Sequence, residues 1–350
     1  MSFKQPIIAF QKCQPPYFIG VDVGGTSIKI GCIDNAGATF AFTEIPTEEA
    51  TGPKPAMARV VTACRGLLAP LGLGLAQIAR VGLGTPGTMD VPKGMLIQPP
   101  NHPHWWNFPI RDCLSEAIGL PVSFANDANA AAFGEFWIGT GKKFPSMVML
   151  TLGTGVGGGV IIDGHMVHGA SSAGGECGHI IVDSGPQARN CTWGGGRGHL
   201  EAYASASAVV AIAKERLAAG SPSSLSQHRE SLTAKNVYEA ALAGDAFSLQ
   251  IIDETAVYLG IGVTSLVHAV DPGLVVLGGA MDFGGRKSDI GKRFLEKIRQ
   301  TFQQLTFDNV FAGTTIDFAE LGGDAGYIGA AGIARQDYQR AIANTRGSAT

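Results

Sequence analysis

VSFANDANAAAF, residues 122–133, runs from an apolar, strand-like segment straight into an Ala-rich helix, and a carboxylate, Asp127, stands at the changeover. An Asp directly after the apolar run 122–125 is costly to desolvate unless something pairs with it or uses it. Two readings of this stretch are open. Asn126 or Asp127 caps the helix, since both residue types accept hydrogen bonds from the free amides of a first turn. Alternatively, Asp127 serves chemistry at the end of a buried strand. The rest of the chain bears on the choice, because it supplies two Gly/Thr loops and a second acidic and His cluster that suit phosphoryl transfer.

Upstream, YFIGVDV (17–23) reads as a buried strand entering a tight turn at Gly24 and Gly25. SIKIGCI (27–33) returns as a second strand, DNAG (34–37) is turn chemistry, and ATFAFTEI (38–45) alternates as a third. Met57, Val60, Val61, Cys64, Leu67 and Leu68 recur at three and four, which predicts an amphipathic helix over 53–71. ARVGLG (79–84) predicts a strand ending in Thr85, Pro86 and Gly87, and PPNHPHWWNFP (99–109) reads as an ordered loop.

Downstream, SMVMLTL (146–152) predicts a strand that runs into a glycine loop over 153–159, with VIIDG (160–164) returning. The order strand, Gly/Thr turn, strand, Asp turn therefore occurs twice, about 130 residues apart, and predicts two similar halves facing each other. Helical periodicity covers 198–219 and 234–270. A strand over 274–279, a helix over 290–303, a strand over 314–320 and a closing helix over 325–341 complete the chain. Strands alternating with helices predict an α/β architecture with ligands at strand ends.

The composition excludes several classes. In 350 residues the net charge is −3 and only 16% are charged, so there is no basic footprint for nucleic acid. The 49 glycines point to backbone-built binding loops. No apolar core of signal-peptide length precedes the early prolines, so secretion is not expected. The charge-free runs 144–162 and 255–270 read as core and not as membrane spans. Six cysteines without a framework spacing fit reduced thiols and a cytoplasmic location.

Two loops carry the chemistry. Asp22, Gly24, Gly25 and Thr26 can present backbone amides and a hydroxyl to phosphate, with Asp22 holding Mg2+ through water. Gly153, Thr154 and Gly155 form a second such loop. Lys29 reads as a strand-surface lysine and receives no role.

As an ordered set, the residues resemble the ROK-type bacterial sugar kinases, within the larger group that includes hexokinase and actin. The resemblance covers nearly the whole chain. It rests on DVGGTSIK (22–29), GTPG (84–87), Asn126 with Asp127, residues 152–159, GECGH (175–179), Leu200 with Glu201, and LGG (277–279). It implies two ribonuclease-H-like lobes around a central cleft, a small α/β lobe of residues 1–125 plus 325–345 and a large one of 126–324. It also implies a homo-oligomer, dimer or tetramer.

The implied reaction uses Asp127 as the base that takes the proton from a sugar 6-hydroxyl as it attacks the γ-phosphate of ATP. Asp22, Gly24, Gly25, Thr26, Gly153, Thr154, Gly155, Gly278 and Gly279 would hold the nucleotide and its Mg2+. Asn126, Glu176, His179, Glu201 and Gly87 would contact the sugar. Catalysis would lie chiefly in positioning and charge stabilisation. Read from the residues alone, Glu176 and His179 make a turn pair equally well, and Glu201 a first-turn carboxylate favoured by the helix dipole.

Within this resemblance the expected sugar is glucose. N-acetylmannosamine, N-acetylglucosamine and fructose kinases of the same family are the alternatives, and a non-catalytic sugar-binding regulator is the rival from another class. Such regulators carry a helix-turn-helix domain ahead of the first loop, and only 21 residues precede Asp22. An actin-like scaffold fits poorly with the cluster Glu176, His179 and Glu201.

The family's usual zinc motif is altered. A His and three cysteines bind zinc there, whereas here Cys191 is kept, Trp193 takes the second cysteine's place and His199 the third's. Trp cannot ligate a metal, and His179, Cys191 and His199 are one ligand short of a structural site. Cys177, two residues before His179 on an expected extended segment, would point the other way. Structural zinc is therefore expected to be absent.

Overall fold

The computed structural model describes residues 5–99, 101–191, 196–228 and 230–347. In chain order the elements begin with β1 (Tyr17–Val23), β2 (Ser27–Ile33), β3 (Thr39–Pro46), α1 (Pro53–Leu68), β4 (Ile78–Thr85), β5 (Thr88–Asp90) and β6 (Met95–Gln98). Next come α2 (Ile110–Ile118), β7 (Val122–Asn126), α3 (Asp127–Trp137), β8 (Met147–Leu152), β9 (Val156–Ile162) and β10 (His165–Met166). The chain continues through α4 (Glu201–Ala204), α5 (Ala206–Ala218), α6 (Ala234–Leu242), α7 (Ala246–Val270) and β11 (Leu274–Gly278). It closes with α8 (Asp289–Leu305), α9 (Asp308–Gly313), β12 (Thr315–Phe318) and α10 (Ala325–Gly347).

Two compact units result. One comprises Met1–Lys142, Met166–Gly174 and Glu320–Thr350, the other Lys143–His165 and Gly175–Ala319. The first unit thus extends to Lys142 and not to residue 125, so Asp127 and all of α3 lie in it. The reason is packing: α10 lies on α3, β1 and β4, and the α3 contact is so close that a Cβ on Gly329 would stand 1.6 Å from the Ala130 carbonyl oxygen.

The first unit's main sheet has the order β3-β2-β1-β4-β7. β1 and β2 are antiparallel, as are β2 and β3, whereas β4 runs parallel to both β1 and β7. Period-2 alternation sorts its side chains. Ile19, Val21 and Val23 pack with Met57, Val60, Cys64 and Leu114 in a core shared with α1 and α2, while Phe18 packs with Tyr327, Ile328 and Ala331 of α10. Gly82 permits the close seat of α10, since a Cβ there would lie 1.8 Å from the Ala330 oxygen.

The second unit repeats the plan, with the order β10-β9-β8-β11-β12. β9 is antiparallel to β8, and β11 is parallel to β8 and β12. The internal duplication is thus one of strand order as well as of glycine hairpins.

Local differences from the expected elements have local causes. Gly157, Gly158 and Gly159 lie inside β9, so the turn is confined to Gly153, Thr154 and Gly155. The periodic stretch 234–270 is two helices, broken at Gly244, whose φ is +87°. α2 and the β5–β6 hairpin carried no strong sequence signal. α7 is long and apolar enough to cross a membrane by length and composition, but Ile251, Ile252, Leu259, Val263 and Val267 are buried, the packing of a core helix.

Candidate active site

In the first unit, the parallel strands β1, β4 and β7 deliver three candidate segments to their C-terminal ends. The register places Asp22 opposite Gly84 and Thr85 opposite Asn126. Asn126 is the cap of α3: its Oδ1 accepts from the amides of Ala128 at 2.8 Å and Asn129 at 3.4 Å. Its Nδ2 donates to the Gly87 carbonyl at 3.5 Å, and Gly87 has a φ of +90°. Asp127 is the first helical residue, and its Oδ1 accepts from Ala128 N at 2.9 Å. The cap therefore falls to Asn126, which also brings Gly87 and Asp127 into one neighbourhood.

Asp22 is the electrostatic centre of this group. Burial pushes its carboxyl up to about 7, repulsion from Asp127 adds to the rise, and Lys29 pulls it down. A Cβ on Gly326, in the first turn of α10, would stand 2.4 Å from Asp22 Oδ2, so only Gly leaves room for the carboxylate there. Lys29 has a structural task that the sequence did not indicate: its Nζ donates to the Gly323 carbonyl at 2.6 Å, fixing the turn that leads into α10. No local signal could have found a partner 294 residues away.

In the second unit, β8 and β11 run parallel and their glycine turns meet. Gly278 pairs with Thr151. Gly279 has a φ of +91°, and a Cβ on it would stand 2.2 Å from Leu152 O. The Gly153 amide donates to the Gly155 carbonyl at 3.0 Å, and the Ala206 amide to Gly153 O at 2.8 Å.

Glu201, 6% exposed, begins α4 directly beside this loop. Its Oε2 accepts from Val156 N at 2.9 Å, and a Cβ on Gly155 would lie 2.3 Å from that oxygen. This is a locked, buried carboxylate and not an exposed first-turn one. Glu176 and His179 bracket a short 3-10 turn with Oε2 and Nε2 3.8 Å apart, Glu176 exposed and His179 partly so.

A second feature adjoins Glu201. Cys191 Sγ donates to Glu201 Oε1 at 3.5 Å and lies 3.9 Å from His179 Nδ1, which is 3.1 Å from His199 Nδ1. His179, Cys191 and His199 offer donor atoms all within 4.8 Å of one another, and among the described residues no fourth His, Cys, Asp or Glu joins them. They fit a metal held by three protein atoms and fall one short of a closed four-ligand site.

Cys177 faces Gly158, where a Cβ would stand 2.6 Å from its Sγ. It sits in the 3-10 turn and not on an extended segment. Trp193 lies outside the described residues.

Both units therefore carry glycine turns at the C-terminal ends of parallel strands, where α/β folds bind ligands. One holds an Asp pair, and the other a buried Glu beside a His/Cys cluster.

Comparison with known proteins agrees with this architecture. The chain is 36% identical to a glucokinase of Halalkalibacterium halodurans over 91% of its length and 95% of the relative's. The ROK hexokinase of Thermus thermophilus superposes with a TM-score of 0.78 at 32% identity, covering 93% of this chain and 99% of that one. A ROK family glucokinase of Streptomyces griseus, solved in complex with glucose and AMPPNP, gives a TM-score of 0.72 at 31% identity, over 91% and 99%. The fold is the two-lobed α/β architecture of the hexokinase and actin type. A sequence model of the ROK family matches residues 18–337, and the chain belongs to that family.

Proposed function

We propose that this chain transfers the γ-phosphate of MgATP to the 6-hydroxyl of glucose, with Asp127 as the general base. The observation that carries the reading is the division of labour at the β7–α3 junction. Asn126 supplies the helix cap, so Asp127 is not needed for capping and its carboxylate stands beside Asp22. The similarity to a glucokinase of Halalkalibacterium halodurans and to a Streptomyces griseus enzyme bound to glucose and AMPPNP supports the substrates.

Each residue has a definable task. Asp127 Oδ would accept the 6-hydroxyl proton as the oxygen attacks phosphorus, a role that asks for hydrogen-bond reach and basicity. Asn126, Gly87, Glu176, His179 and Glu201 would orient the ring hydroxyls, and Glu201 is held by Val156 N. Gly24, Gly25, Thr26, Gly153, Thr154, Gly155, Gly278 and Gly279 would hold the nucleotide through backbone amides and hydroxyls.

Asp22 fits a divalent cation, because two mutually repelling carboxylates are what a cation relieves. Mg2+ there supplies charge neutralisation to the phosphate oxygens. A cytoplasmic homo-oligomer, dimer or tetramer, without structural zinc, completes the proposal.

The test is Asp127→Asn, which keeps the shape and removes the basicity. Phosphoryl transfer is expected to fall by about two to four orders of magnitude while glucose affinity stays within about tenfold. Turnover near that of the wild type would end the assignment.

A further inference from the structure

The loop Gly24, Gly25, Thr26 has little of its own to hold its shape, so what fixes it must come from its surroundings. Gly25 and Thr26 are exposed, and no heavy atom lies within 4 Å of a Cβ built on Gly25. Inside the loop, the Gly24 amide donates to the Ser27 carbonyl at 2.9 Å.

The remaining restraint comes from Thr47, just past β3 and 0% exposed. Its Oγ1 donates to the Gly24 carbonyl at 2.7 Å, and its amide donates to the Thr26 carbonyl at 3.0 Å. Its own carbonyl accepts from Arg59 Nη2 of α1 at 2.6 Å. Each polar group of this buried threonine is thus committed, two of them to the loop.

His102 stands behind the same peptide. It is 1% exposed, its ring lies 5.0 Å from that of Trp105, and neither ring nitrogen makes a hydrogen bond of good geometry. The imidazole approaches the Gly24 backbone, and burial pushes its pKa down. Its segment is tied to the chain after Thr47, since Trp105 Nε1 donates to the Glu49 carbonyl at 3.1 Å and the His104 amide to the Glu49 carboxylate at 2.8 Å.

Peptide geometry turns this brace into function. The Gly24–Gly25 bond is trans, Pro15–Pro16 being the one cis bond among the described residues. In a planar trans peptide the C=O and the N–H point in opposite directions. Holding the Gly24 oxygen inward on Thr47 therefore aims the Gly25 N–H outward, where it makes no hydrogen bond among the described residues and is available to an anion.

We infer that Thr47, backed by His102, is a positioning residue that orients the Gly25 amide toward a phosphate oxygen of the nucleotide. The inference rests on the reading of residues 22–26 as a phosphate loop.

The experiment compares Thr47→Val, Thr47→Ser, His102→Phe and Thr26→Ala for KM of MgATP, KM of glucose, kcat and Tm. Thr47→Val keeps the shape and removes the donor. It is expected to raise KM for MgATP by about tenfold, the scale of one lost hydrogen bond, while KM for glucose stays within about twofold. Thr47→Ser restores the wild-type value, and His102→Phe shifts KM for MgATP in the same direction by a smaller factor.

If Thr26→Ala weakens MgATP and neither Thr47→Val nor His102→Phe does, the inference falls and the phosphate-loop reading stands. If none of the three changes KM for MgATP, both fall. A Thr47→Val protein whose two KM values rise together with a drop in Tm also overturns it, because that is the mark of a merely structural residue.

Discussion

Replacing Asp22 with Asn should stabilise the free protein in alkali and leave it unchanged in acid, while removing its activity. The folded carboxyl sits at about 7 against an ordinary value of 3.8, with burial the first cause and Asp127 the second. A folded pKa above the unfolded one means that folding favours the neutral acid. Asp22 therefore costs nothing below about pH 4, costs more as the pH rises toward 7, and costs a constant amount above that.

From 3.8 to about 7, the full penalty is about 4 kcal/mol at 1.36 kcal/mol per pH unit. Relaxation of the site and water reaching the carboxylate take part of it, so about 2 kcal/mol is the expected gain from the neutral amide at pH 8. Paired urea titrations of nucleotide-free wild type and variant at pH 4.5 and 8.0 read the difference. The midpoints should separate at pH 8.0 and by only about a quarter as much at pH 4.5, where the unfolded carboxyl is already largely ionised. A saturating Mg2+–nucleotide analogue should then stabilise the wild type and not the variant. An equal gain at both pH values, or a loss at pH 8.0, would refute the argument that burial, with Asp127, raises the Asp22 carboxyl.

Gly155→Ala places a methyl 2.3 Å from Glu201 Oε2, so the carboxylate must move; KM for glucose should rise by about tenfold, and an unchanged KM would show that Glu201 does not hold the sugar. In a substrate panel, kcat/KM for glucose should exceed that for mannose, fructose and both N-acetyl hexosamines; another sugar ahead by tenfold, about 1.4 kcal/mol in transition-state binding, would displace glucose and leave the kinase reading intact. With three converging donors where a structural site takes four, the purified protein should carry less than one zinc per chain and keep its Tm in chelator. Stoichiometric zinc by elemental analysis, with a Tm that falls on chelation, would contradict this.

Sequence alone determined whatever depends on near neighbours. The two glycine hairpins, the strand entering Asn126 and the closing helix follow from alternation, turn residues and helical period, all readable within a few residues, and the ordered motifs pointed to the family. Alone it could not choose between Asn126 and Asp127 as the cap, because both side chains offer the same acceptor to the same amides; the cap went to Asn126 only when the backbone was in place.

Tertiary structure decided the contacts that chain separation hides. A run of glycines reads as loop, yet Gly158 sits in β9 paired with Leu150 of β8, and it is glycine because Cys177 fills the space a side chain would take. α3 follows a strand that ends the first sheet and falls in the first unit because α10, some 200 residues later in the chain, packs on it at Gly329. The tasks of Lys29 and Thr47, holding the Gly323 and Gly24 carbonyls, rest on single hydrogen bonds between distant segments. Periodicity reports which face of an element is apolar, but which backbone group a polar side chain meets depends on how whole elements pack, and that is settled only by the fold as a unit.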